Sequence, residues 1–176
     1  MSTQSRLDVI KDSVSPAGIA AADAHLLAAI TYRQLDHWAR QGWVLPSVDP
    51  GKTRSGRRLY AVEDVVCLDL LRHLAESRVN TSVAGPIVAS FETPVGDDVV
   101  LWGPIGIGEP GLRVVERSGL LNFLTSGGAW VTYDPAAARN RAARVLTNKR
   151  SVEGSDGSTT DIAEQTRRAA RVGVSA

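Results

Sequence analysis

Two predicted helices follow one another in this chain with almost no residues between them. Residues 16–30 are rich in alanine, and Ser15-Pro16 is a good N-cap and first-turn pair for a helix there. Thr31 can act as the N-cap of a second helix over residues 31–41, and Gly42 follows as a C-terminal stop. An abrupt junction of this kind is typical of a helix-turn-helix.

The second predicted helix has two chemically different faces. On a helical wheel, one face is apolar and aromatic and is centred on Leu35. Its members are Tyr32, Leu35, Trp38, Ala39 and Gly42. The opposite face carries guanidinium, imidazole and amide groups, which bond phosphates and the edges of bases. Its members are Arg33, Gln34, His37, Arg40 and Gln41. A solvated amphipathic helix has the same pattern, so this helix alone does not decide between the two interpretations.

A basic segment broken by glycine and proline follows the second helix. Residues 44–60 favour a loop or hairpin over a helix, with residues 58–60 returning as a short strand. Within residues 31–60 there are six basic side chains and two acidic ones, and four of the cations fall within seven residues. These four are Lys52, Arg54, Arg57 and Arg58. A hairpin of this kind can lie along a sugar-phosphate backbone, where each cation displaces a condensed counterion. A solvated loop is the alternative, but the adjacent helix pair favours a winged helix-turn-helix.

The remaining residues predict an α+β chain. Apolar residues at three- and four-residue spacing predict a helix over residues 62–76. Thr81 or Ser82 could cap a short helix that Gly85-Pro86 would break or kink. A small β-β-α-β unit then follows, and Asp134 caps a last helix. The predicted ranges are strands at 99–102 and 112–115, a helix at 118–124, a strand at 129–133 and a final helix through 146.

These patterns divide the chain into four predicted segments. They are a flexible N-terminus at 1–15, a winged helix-turn-helix domain at 16–92, a small α/β accessory or interaction domain at 93–148 and a flexible tail at 149–176. The predicted fold class is therefore α+β, with a mainly helical N-terminal domain before the β-β-α-β unit.

Composition and spacing exclude several classes of protein. No apolar run approaches the roughly 20 residues of a membrane span, so we expect a soluble cytoplasmic protein with no membrane partner. Cys67 is the single cysteine, which excludes an intrachain disulfide and a multi-cysteine zinc site, and it is expected to be a small buried hydrophobe. Residues 106–111 spell GxGxxG, but a β-like segment follows where a dinucleotide site needs a helix. We expect no cofactor, no metal and no catalytic residues, and therefore no enzyme.

Several spaced motifs resemble those of MerR-family regulators. Residues 30–46, Ile-Thr-Tyr-Arg-Gln-Leu-Asp-His-Trp-Ala-Arg-Gln-Gly-Trp-Val-Leu-Pro, resemble the family's recognition helix and the turn after it. Residues 56–60, then Glu63-Asp64-Val65 and Leu68, resemble its wing return strand and third helix. The similarity covers about residues 17–88 and is greatest to actinobacterial and actinophage members.

The resemblance implies which residues contact DNA. Arg33, Gln34 and His37 would face bases or phosphates, and Arg58 with Tyr60 would hold the wing on the backbone. The full predicted set is Thr31, Tyr32, Arg33, Gln34, His37, Arg40, Gln41, Lys52, Arg54, Arg57, Arg58 and Tyr60. Two departures from the family stand out. Asp36-His37 replaces an Arg-Tyr pair, and no heptad run for a dimer coiled coil follows Glu92.

The implied function is sequence-specific binding of double-stranded DNA to regulate transcription. The resemblance implies a homodimer on DNA, with a phage-encoded repressor or activator as one form of the regulator. A further possibility is that the C-terminal half contacts RNA polymerase or another regulator, which the acidic middle of the chain permits. The alternative is an excisionase-like architectural factor in site-specific recombination, because such proteins use a similar winged helix.

Overall fold

The computed structural model describes residues 18–51, 56–94, 96–105, 109–125 and 127–148, and within them the chain is α+β. Its helices are α1 (Ala21–Leu27), α2 (Tyr32–Arg40), α3 (Val62–Glu76), α4 (Thr81–Ala89), α5 (Leu120–Thr125) and α6 (135–148). Its strands are β1 (Ile19–Ala20), β2 (Asp49–Pro50), β3 (Arg58–Tyr60), β4 (Val99–Pro104), β5 (Pro110–Val115) and β6 (Val131–Tyr133). None of these helices is long and apolar enough to cross a bilayer.

The first sheet joins the start of the described chain to the basic hairpin. Its strand order is β1-β3-β2, all antiparallel, with Ile19 opposite Tyr60 and Asp49 opposite Leu59. The predicted return strand at 58–60 is confirmed. The predicted helix start at residue 16 is wrong, because Ile19 and Ala20 pair with β3 and α1 begins only at Ala21. The proposed cap Ser15-Pro16 lies outside the described residues.

Local capping explains where α2 begins and ends. The Thr31 hydroxyl accepts a bond from the Gln34 N–H at 3.2 Å, and the Gln34 side-chain oxygen accepts from the Thr31 N–H at 2.9 Å. This reciprocal capping box satisfies two backbone donors that the first turn leaves unpaired. At the other end Gly42 adopts a left-handed φ of 74°. Both predicted helix boundaries are confirmed.

Helix α3 has the predicted bounds, whereas α4 differs from its prediction. The N-cap of α4 is Asn80, whose side chain accepts from the Ser82 N–H at 2.9 Å, so the predicted caps Thr81 and Ser82 are wrong. Gly85-Pro86 does not end the helix, which continues to Ala89. Burial of Ala84, Gly85 and Val88 against the rest of the protein outweighs the poor intrinsic helix propensity of the Gly-Pro pair.

The predicted β-β-α-β unit is confirmed as a second antiparallel sheet of order β5-β4-β6. Its register places Val99 opposite Val115 and Val100 opposite Tyr133. A 3₁₀ turn over Arg117–Gly119 leads into α5. The Asp134 side chain accepts from the Ala136 N–H at 2.9 Å, as expected for the cap of α6.

One hydrophobic core extends through both sheets. It contains Leu35 and Trp38 from α2, Leu71 from α3, and Tyr133 and Ala138 from the C-terminal unit. The C-terminal unit therefore packs on the helix-turn-helix region. The proposed domain boundary at residue 92 stays a prediction.

Cys67 lies on α3 and packs against this core. Burial, with smaller contributions from Asp64 and Glu63, raises the pKa of its thiol to about 12. We expect Ellman's reagent at about pH 8 to modify the native protein far more slowly than the urea-unfolded protein, because the thiolate is the nucleophile. The stability gained from the neutral thiol is fully present below about pH 9 and falls as the pH rises toward 12. Equal modification rates in the native and unfolded protein would contradict this expectation.

Candidate nucleic-acid interface

The outer face of α2 (Arg33, Gln34, His37, Arg40 and Gln41) points away from the core, while Leu35 and Trp38 are buried. The predicted division of the helix into two faces is confirmed for these residues. The outer face therefore presents two guanidiniums, an imidazole and two amides to the exterior.

Two members of the predicted apolar face are exposed instead. Gly42 is exposed at the end of the helix, and the side chain of Tyr32 is half exposed. The Tyr32 ring meets the His25 ring edge-on at a centroid distance of 5.7 Å and lies 6.0 Å from the Arg58 guanidinium. The wheel prediction for Tyr32 is wrong because these polar partners hold its ring at the surface.

Thr31 and Gln34 are both exposed and both engaged in the capping box. The Gln34 oxygen accepts from the Thr31 N–H and from the Thr31 hydroxyl, the latter at 2.8 Å. Because the oxygen serves the cap, the Gln34 side-chain nitrogen is the group suited to donate to a base or a phosphate.

Asp36 ties the wing (residues 49–60) to α2. Its Oδ1 lies 3.1 Å from a guanidinium nitrogen of Arg58, and its Oδ2 accepts from Arg40 one turn further along α2. The same Arg58 nitrogen donates to the Tyr32 hydroxyl at 3.4 Å. Partial burial alone would lower the pKa of Arg58, but the contacts with Tyr32, Tyr60 and Asp36 raise it overall. Arg58 therefore stays charged and joins the wing stem to the recognition helix.

The four predicted cations of the wing differ in their surroundings. Arg57 is exposed, while the side chain of Arg58 is 22% exposed and is engaged with α2. Lys52 and Arg54 lie outside the described residues. Gly51 and Gly56 adopt positive φ values of 77° and 60°, which glycine allows without steric strain.

Tyr60 requires a correction. Its side chain is fully buried, so it cannot hold a duplex against the wing as predicted. It faces Ile19 across the first sheet, and within the described residues its hydroxyl has no hydrogen-bond partner. Burial is the main reason that the pKa of Tyr60 is raised. Its role is in the core, on the inner side of β3.

Sequence reasoning did not include Asp36 among the site residues. The Asp36–Arg40 spacing of four residues is a sequence signal for an ion pair on one helix face. The contact with Arg58, 22 residues away in the chain, requires the fold of the wing.

Comparisons with known proteins agree with this geometry. A family model described as MerR HTH family regulatory protein matches residues 21–88. Proteins from Mycobacterium bovis and Mycobacterium tuberculosis, each described as an uncharacterized HTH-type transcriptional regulator, are 37% identical to this chain over 54 residues. The aligned segment is 31% of this chain and 24% of each relative, so the match spans about a quarter of the relatives' length.

The matched region contains α1 to α3, all of α4 except its last residue, and the described part of the wing. Its capped α2, exposed basic face and hairpin stem are the elements that the motifs of residues 30–46 and 56–60 predict. Residues 21–88 of this chain therefore match the MerR HTH family regulatory proteins.

Proposed function

We propose that this protein regulates transcription by binding double-stranded DNA sequence-specifically, with α2 in the major groove and the wing along the sugar-phosphate backbone. The observation that carries the proposal is the common placement of two basic elements. Arg33, His37 and Arg40 are exposed on α2, and the wing stem is joined to that same helix through the Arg58–Asp36 ion pair. When α2 of such a surface enters a major groove, its side chains contact base edges, and the adjacent wing contacts phosphates next to the groove.

Individual roles follow from the chemistry of each exposed group. Arg33 can donate two parallel bonds to guanine, and the nitrogen of Gln34 and the ring of His37 can bond base edges or phosphates. Phosphate contacts suit groups at the rim of the helix and on the wing. We assign these contacts to Tyr32, Arg40, Gln41, Lys52, Arg54 and Arg57, with Thr31 holding the start of the helix.

In this proposal the protein binds a pseudo-palindromic operator as a homodimer. Two-fold symmetry of the protein would be matched by two half-sites about one helical turn apart. The segment 93–148 then serves as an accessory or interaction unit that contacts RNA polymerase or another regulator, and the protein acts in the cytoplasm. A phage-encoded repressor or activator is the specific role that the actinophage-like motif supports.

Selection of tight-binding duplexes from a random pool, followed by fluorescence anisotropy, tests the proposed site. We expect Arg33→Ala to weaken binding to the selected duplex by about tenfold to a hundredfold, the cost of one lost base contact. Binding to an unrelated duplex should change much less. Arg113→Ala on β5 removes the same charge at another exposed position and should leave both affinities unchanged.

Two outcomes would overturn the assignment. One is a wild-type protein that enriches no sequence from the pool, and the other is an equal loss for Arg33→Ala and Arg113→Ala. Footprinting on the enriched site distinguishes regulation from recombination. A single symmetric site fits a regulator, whereas head-to-tail arrays fit the excisionase-like alternative.

A further inference from the structure

The carboxylate of Asp36 lies between two guanidiniums, those of Arg40 and Arg58. One of its oxygens accepts from Arg40 and the other lies 3.1 Å from Arg58. Arginine binds carboxylates and phosphates through the same donors and in the same planar geometry. The two arginines are therefore already paired with an internal anion on the surface proposed to meet DNA.

The exposure of Asp36, Arg40 and Arg58 indicates whether their ion pairs affect folding or the approach of a phosphate. The side chain of Arg40 is 73% exposed and that of Asp36 is 32% exposed, so their contact lies at the surface and contributes little to folding. The side chain of Arg58 is 22% exposed, and the Tyr32 hydroxyl also holds it. A phosphate that approaches Arg40 must displace Asp36 or remain next to its negative charge.

Resting on the DNA-binding function proposed above, we propose that Asp36 is a specificity-determining residue that limits the affinity of this surface for DNA of any sequence. Its carboxylate competes for Arg40 and Arg58 with phosphates, which carry no sequence information. Binding then depends more strongly on the base-reading groups of α2. The ratio of specific to non-specific affinity rises because the non-specific affinity falls.

The test measures Asp36→Asn against duplexes of selected and unrelated sequence over a series of salt concentrations. We expect the variant to bind the unrelated duplex about tenfold tighter near 0.1 M salt. The plot of log affinity against log salt should steepen by about one to two, because up to two more phosphates are neutralised. Affinity for the selected duplex should rise less, so discrimination between the two duplexes should fall.

Three further variants separate this role from simple positioning of the wing. Asp97→Asn removes a carboxylate of the exposed Arg117 ion pair and should leave the salt slope unchanged. Asp36→Glu keeps the negative charge and should behave like the wild type. Arg40→Ala should weaken binding to the unrelated duplex more in the Asp36→Asn background than in the wild type, because in the wild type the Asp36 carboxylate competes with phosphates for Arg40.

An Asp36→Asn protein that binds the unrelated duplex no tighter than the wild type, or with an unchanged salt slope, would overturn the inference. If the wild type still binds its selected duplex, the proposed function stands without this role for Asp36. If the wild type selects no duplex at all, both proposals fail. Thermal melting of each variant shows whether it is folded, and Asp36→Ser replaces Asp36→Asn if the latter does not fold.

Discussion

Replacing Asp69 with alanine is expected to lower the free energy of unfolding by about 3 kcal/mol, near the lower end of the cost of breaking a buried ion pair. Asp69 is 4% exposed and is the buried charged residue of the described core. Its carboxylate accepts from the Tyr133 hydroxyl at 2.9 Å and from Arg72 at 2.8 Å. Arg141 adds an ion pair, with a guanidinium nitrogen 3.4 Å from the Asp69 carboxylate. Alanine would leave these donors without the anion that satisfies them.

The size of this loss depends on which partners of Asp69 can be stabilised by other groups when the carboxylate is removed. Arg72 also pairs with Glu76, and the Arg141 side chain is 46% exposed, so both can be stabilised elsewhere. The Tyr133 hydroxyl is buried, and within the described part of the chain it would retain a longer bond to the Val66 carbonyl at 3.3 Å. Burial, with the nearby charge of Asp69, raises the pKa of Tyr133, so the hydroxyl remains a donor over the physiological pH range.

Urea denaturation followed by circular dichroism measures the effect. Tyr133→Phe should lose about 1 kcal/mol, and the double variant should lose less than the sum of the two single losses, because the residues share one bond. Asp97→Asn, at an exposed ion pair, should leave the unfolding midpoint unchanged. A loss for Asp69→Ala no larger than that of Asp97→Asn would show that the network does not hold the C-terminal unit on α3.

Replacing Gly85 with valine is expected to cost about 3 kcal/mol, at the upper end of the range for overpacking a core. A Cβ atom at this position would lie closer than 3.0 Å to three ring atoms of Trp43. The Trp43 ring in turn meets the His37 ring edge-on at 5.7 Å, so displacing Trp43 would also disturb the outer face of α2. Gly85→Ala should cost less, because alanine favours a helix by about 1 kcal/mol over glycine and partly offsets the contact.

Gly119→Ala is the matched control, because nothing lies within 4 Å of a Cβ built there and its φ is not positive. We expect that control to melt like the wild type. Thermal unfolding gives the stability of each variant, and near-ultraviolet circular dichroism reports the packing of Trp43. A Gly85→Val protein with wild-type stability would mean that Trp43 does not pack over α4.

Features that depend on neighbouring residues could be predicted from the sequence. Thr31 and Gln34 close a capping box within one turn, Gly42 ends α2 through its own φ, and the apolar spacing of α3 gives its bounds. The strand at 58–60 and the β-β-α-β order were also predictable, because glycine, proline and β-branched residues mark those changes locally.

Features that depend on distant residues were the ones that sequence reasoning misplaced. Ile19 belongs to a strand rather than a helix because β3 offers it a partner 41 positions later. Tyr32 stays at the surface because Arg58 and His25 meet its ring there. The exposed Pro86 is tolerated inside α4 because one face of the helix, with Ala84 and Val88, is buried, and this burial outweighs local propensity.

The sequence by itself determined the polar outer face of α2, because the 3.6-residue period of a helix places that face opposite Leu35 and Trp38, which are buried. Only the tertiary structure decided how the wing residues are used. Arg58 pairs with Asp36 and Tyr60 enters the core because the hairpin folds back against α2 and β1. No local pattern encodes such contacts, since their free energy comes from residues brought together by the whole fold.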